Sequence, residues 1–76
     1  MKKITKARTD LEGLVVIRAH RGYETVRIGK YIRTHGCYEC QVLKDVYDAE
    51  TDTITGEEMV NCLYTPYDLI GAEYFD

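Results

Sequence analysis

Four stretches of this chain alternate apolar and polar residues with the period of two that marks a half-buried strand. Residues 14–20 set Val15, Ile17 and Ala19 against Leu14, Val16, Arg18 and His20. Their β-branched side chains favour a strand with Val15 and Ile17 facing inward. Residues 24–33 place Val26, Ile28 and Ile32 on one face and Thr25, Arg27, Tyr31 and Arg33 on the other. Gly29 interrupts that pattern and predicts a bulge or bend. Residues 37–47 read as a long strand with Tyr38, Cys40 and Val42 on one side. The alternation slips after Val42 and Leu43, which predicts a second bulge. A polar hairpin loop over 48–56 leads into a strand over 58–64, with Val60, Cys62 and Tyr64 on one face. Arg21 with Gly22, and His35 with Gly36, supply turns between strands. The expected core is Val15, Ile17, Val26, Ile28, Val42, Val60 and Leu63.

Outside the strands the pattern changes. Thr65, Pro66 and Asp68 form a helix start: a capping hydroxyl, proline at the first helical position and an acid three residues after the cap. Ile70 and Tyr74, four apart, would share a face of that helix, and Gly71 limits it to one or two turns. Residues 1–10 are basic and lack amphipathic order. They read as a flexible arm or a loosely docked strand, leaving 11–76 as a single domain.

Four strands, two of them bulged, and one terminal turn predict a mostly-β fold: a small, strongly bent antiparallel sheet or SH3-like barrel with a short C-terminal helical turn. An α+β roll is the alternative. The run Gly29, Lys30, Tyr31, then His35 and Gly36, Val42 and Leu43, Glu50 and Thr51, and residues 58–64 resembles short SH3-like β-barrel proteins of bacteria and phages. The resemblance spans about half the chain. It implies a barrel, and suggests a phage-encoded module that modulates or inhibits a host protein.

Composition narrows this picture. A chain of 76 residues makes one small domain with a marginal core. No apolar run reaches the roughly 18–20 residues of a membrane span, and no signal-peptide pattern follows the basic start, so a cytoplasmic location is expected. The odd count of three cysteines fits thiols in a reducing compartment, with Cys40 and Cys62 buried and unbridged.

Charge divides the chain. Residues 1–33 hold nine Lys or Arg against three acids, a net of +6; residues 34–76 hold Lys44 against ten acids, a net of −9. Two binding readings follow. Six acids lie within residues 45–58, and seven tyrosines exceed what so small a core absorbs. Asp48, Glu50, Asp52, Glu57 and Glu58, with Tyr67, Tyr74 and Phe75, therefore suit a basic or nucleic-acid-binding protein partner. The alternative is nucleic acid, with Arg18, His20, Arg27, Tyr31 and Arg33 neutralising phosphates and stacking on bases from the first two strands.

Other chemistries are weaker. Cys37 and Cys40, with Cys62 and His35 or His20, offer an incomplete structural zinc set without a second close pair. Asp48, Glu50 and Asp52 begin like a calcium loop, but Thr53 and Met59 stand where it needs glycine and glutamate. The chain has no serine, no phosphate loop and no paired His and acid at a motif spacing. The reading is a non-catalytic macromolecule-binding module, with no metal, cofactor or small-molecule substrate expected and no membrane contact.

Overall fold

The structure is a computed structural model and describes residues 1–19 and 23–75. The alternating segments form the strands β2 (Val15–Ala19), β3 (Tyr23–Ile32), β4 (Cys37–Asp48) and β5 (Thr53–Tyr64). Two further strands of two residues each, β1 (Lys2–Lys3) and β6 (Glu73–Tyr74), pair with one another. All six join one antiparallel sheet in the order β1-β6-β2-β3-β4-β5. Its edges, β1 and β5, do not meet, so the expected barrel is not closed. After β1, Ile4 is buried and its N–H donates to the Ala72 carbonyl at 2.9 Å.

One face of the sheet carries the core. Register aligns Val16, Val26, Val42 and Val60 in one cross-strand row, and Ile28, Cys40 and Cys62 in the next. Ile4, Leu11, Leu69 and Ala72, from the segments flanking the sheet, complete the cluster. These segments do for the inner face what the far wall of a barrel would do. Tyr38 is fully buried beneath the N-terminal segment. Its hydroxyl donates to the Arg8 carbonyl at 2.6 Å and accepts from the Leu11 N–H at 3.3 Å, so burial leaves no orphan phenol.

Two expected core positions are corrected. Val15 is 50% exposed and Leu63 is 62% exposed, while Val16 is fully buried. Ile17 is only half-buried. In β2 the inward set is Val16 and Arg18. Arg18, expected on the outer face with the basic set, is accommodated on the inner face by the contacts described below. The bulge expected at Gly29 exists, whereas the one expected in β4 after Leu43 does not: β4 stays in register there, and the second shift comes farther along and leaves Thr55 of β5 as the extra residue. The β3–β4 register shifts between Ile28 and Tyr31, beside Gly29, and the β4–β5 register shifts between Val46 and Tyr47. The first shift turns Tyr31 inward against Tyr38, with ring centroids 5.0 Å apart.

The terminal helix is shorter than its longest expected form. A 3₁₀ turn spans Pro66–Leu69 and stops before Ile70. Thr65 accepts from the Asp68 N–H at 3.2 Å, and the Asp68 carboxylate accepts from the Thr65 N–H at 2.9 Å. Gly71, at φ 93°, turns the chain into β6. No helix among the described residues is long and apolar enough to cross a membrane.

Candidate protein-binding surface

Strands β4 and β5 outrun their neighbour. Pairing of β3 with β4 reaches only Thr25 opposite Leu43, whereas β4 and β5 remain paired to Asp48 opposite Thr53. Residues 44–58 therefore form a two-stranded ribbon paired only between β4 and β5. β-Branched Thr53, Ile54 and Thr55 extend it, so the expected loop over 48–56 shrinks to residues 49–52. At the tip, an Asp48 carboxylate oxygen accepts from the Glu50 N–H at 2.9 Å, and Asp52 takes a left-handed φ of 54°.

The ribbon gathers Asp45, Asp48, Glu50, Asp52, Glu57 and Glu58. Asp45 lies directly opposite Glu57, a cross-strand juxtaposition of like charges that destabilises a hairpin. Among the described residues no cation pairs with either. Lys44 faces Glu58, but at 3.9 Å and with both side chains about half exposed, so solvent screens the pair. Tyr47 and Ile54 sit opposite each other on the ribbon and are both largely exposed.

The expected partner-binding set is thus split. Asp48, Glu50, Asp52, Glu57 and Glu58 come together on the ribbon. Tyr67 is exposed on the 3₁₀ turn, whereas Tyr74 and Phe75 belong to the β6 end of the sheet, with β2, β3 and β4 between them and β5. Tyr74 is half-buried against the core. The aromatic neighbour of the acids is instead Tyr47. Reading residues 48–56 as a loop hid the strand pairing that brings Tyr47 and Ile54 together.

The basic set divides too. Arg18 lies on the inner face, where its Nη1 donates to Glu24 Oε1 at 2.7 Å and its Nε donates to the Asp68 carbonyl at 3.0 Å. Its guanidinium stacks 4.5 Å from the Tyr64 ring centroid. The Tyr64 hydroxyl donates to the same Glu24 oxygen at 2.8 Å. Burial, and then Glu24, push the Tyr64 phenol up to about 12. This cluster fastens the 3₁₀ turn to the sheet, and it commits Arg18 to an internal contact rather than to solvent. Arg27 is exposed on the outer face, in a cross-strand row with Gln41 and Asn61. Arg33 is exposed and, with Thr9, Glu12, Lys30 and Tyr31, lines an open groove of about 590 Å³. His20 lies outside the described residues.

All three cysteines are unbridged. Cys40 is buried opposite Cys62, which is half-buried, and Cys37 belongs to the other face of β4. Burial pushes the Cys40 thiol up, away from the thiolate that nucleophilic or metal chemistry uses. Among the described residues no three His, Cys, Asp or Glu side chains converge as a metal site. No known protein family matches the chain, and neither a curated protein nor a solved structure is significantly similar to it.

Proposed function

We propose that this chain is a non-catalytic binding module that engages a basic protein partner, and so modulates or inhibits it, through the acidic β4–β5 ribbon. The observation that supports the reading most is the opposed pair Asp45 and Glu57 within a two-stranded ribbon that holds six acids. Such a ribbon costs the free molecule stability and is repaid when a partner supplies cations. Exposed Tyr47 and Ile54 add apolar contact area beside the charges. A nucleic-acid-binding protein, whose basic groove normally receives phosphates, is the kind of partner this charge pattern suits.

The test measures association kinetics with a panel of small basic proteins, alongside single- and double-stranded oligonucleotides. Reversing Asp48, Glu50 and Asp52 to lysine should slow association with the basic partner at least about tenfold at low salt, and added salt should slow the native chain similarly. Micromolar or tighter nucleic-acid binding at physiological salt, abolished by Arg27→Ala and Arg33→Ala, would replace this reading with the nucleic-acid one.

A further inference from the structure

The backbone of β5 is open along its outer edge, and hydrogen-bond parity identifies which groups it offers. The Ile28 N–H donates to the Leu14 carbonyl and the Ile28 carbonyl accepts from the Gly13 N–H, each at 2.9 Å. Ile28 therefore spends its backbone toward β2. In an antiparallel ladder, the residue facing it on β4, Cys40, turns its own groups the other way, toward β5. Alternation then pairs Cys40 with Cys62 and Val42 with Val60 through the β4–β5 ladder. The N–H and C=O groups of Met59, Asn61 and Leu63 are left pointing off the sheet.

Natural edges are guarded by lysine, proline, bulges or covering segments. β5 contains neither lysine nor proline, and its one register shift lies near the tip, opposite Val46 and Tyr47. Side chains along the edge are graded. Glu57 and Glu58 come first; then Met59, 59% exposed, half-buried Val60, half-buried Cys62, and Leu63, 62% exposed.

We infer that the edge of β5 from Glu57 to Leu63 accepts an extended segment of a basic protein as an added strand. Main-chain bonds go to Met59, Asn61 and Leu63, apolar side chains lie against Met59, Val60, Cys62 and Leu63, and Lys or Arg lies against Glu57 and Glu58. The inference rests on the reading of the acidic ribbon as a surface for basic proteins and specifies how such a protein is held. Charge selects this occupant over a second copy of the chain. Each copy's ribbon carries six acids against Lys44, so two such edges repel one another while a basic strand is attracted.

The probe is a blocked eight-residue peptide of alternating valine and threonine ending in two lysines. Controls replace the lysines by glutamate or methylate the backbone nitrogens of one alternate set or the other. The lysine peptide should bind at least about tenfold more tightly than the glutamate peptide. Methylation of one set should abolish binding and methylation of the other should not. Hydrogen exchange should slow at the Met59, Asn61 and Leu63 amides and stay unchanged at Val60 and Cys62. Asn61→Pro should weaken binding at least tenfold. If that variant fails to fold, the methylated peptides decide alone, because they leave the protein untouched. Equal binding of both methylated peptides would overturn strand addition while sparing the ribbon reading, provided lysine reversal at Asp48, Glu50 and Asp52 still weakens basic partners. No binding of the lysine peptide at millimolar concentration would likewise overturn the edge site. Loss of that charge-reversal effect would remove the reading beneath it. A native chain that sediments as a dimer at micromolar concentration, with the same three amides protected, would assign the edge to a second copy and overturn the inference.

Discussion

Ile28 and Ile17 lie on neighbouring strands but meet different surroundings. Ile28 is buried among core residues, and Ile17 is half-buried on the opposite face. Ile28→Ala should therefore cost roughly 2–5 kcal/mol, enough to unfold most of so small a domain, while Ile17→Ala should cost about 1 kcal/mol. Urea melts of the two variants check this, and equal losses would mean both faces carry core. Tyr64 gives a pH signature. Its phenol ionises near 10 when unfolded and is pushed up to about 12 when folded, by burial and then Glu24. Between those values the folded state keeps a proton the unfolded chain has lost. Stability is therefore whole below pH ~10 and falls as pH rises toward ~12, by on the order of 2 kcal/mol after allowing for partial exposure. Urea melts across that window should show a shallower decline for Tyr64→Phe than for the native chain; matching slopes would detach Tyr64 from the effect. Tyr38 is also pushed up by burial, so some decline remains in the variant. These environments were only partly legible in sequence. Alternation located β2 correctly, but with β-branched residues on both faces it set Val15 and Ile17 inward where Val16 and Arg18 are. Nothing local reveals that Glu24, Tyr64 and the Asp68 carbonyl converge on Arg18 from distant parts of the chain.

The bulge in β3 depends on close backbone approach. A Cβ placed on Gly29 would run into the Glu39 carbonyl oxygen of β4, a backbone atom that cannot rotate aside as a side chain would. Gly29→Ala should cost about 1–3 kcal/mol, with the disturbance centred on the Ile28–Tyr31 register shift. A thermal melt within error of the native chain would mean that β3 and β4 separate there without penalty. This bulge was readable because glycine inside an alternating run is a local signal. The capping of the 3₁₀ turn by Thr65 and Asp68 was readable for the same reason. The two-residue strands β1 and β6 were not, since so short a pairing carries no period and depends on partners about seventy residues apart. The ribbon falls between these cases. Its acids were evident as a cluster, but its true length, and the Tyr47–Ile54 pair upon it, depend on a register that shifts at the second bulge.

Across the whole molecule, one layer of sheet with one covered face gives principal extents of 41 × 28 × 17 Å. So thin a shape leaves a long edge and an outer sheet face in reach of other copies. On that face Val15, Met59 and Leu63 are each at least half exposed. What opposes association is charge. The chain carries −3 overall at pH 7, but the β4–β5 ribbon concentrates acids where edge pairing would occur. Repulsion between ribbons is thus the guard that lysine or proline supplies on other edges, and unlike those it does not bar a basic strand. Removing charge from the edge itself should lift that guard. Replacing Glu57 and Glu58 by glutamine should let copies associate along β5 at pH 7.5, because it removes charge from the edge while leaving the ladder to β4 in place. Sedimentation at fixed protein concentration should show a monomer for the native chain and growing dimer or larger species for the glutamine variant. Adding Asn61→Pro should suppress that association by taking away the central edge N–H. Association that persists with Asn61→Pro would place the contact on the outer sheet face instead, and a glutamine variant that stays monomeric would show that charge is not what keeps the edge free.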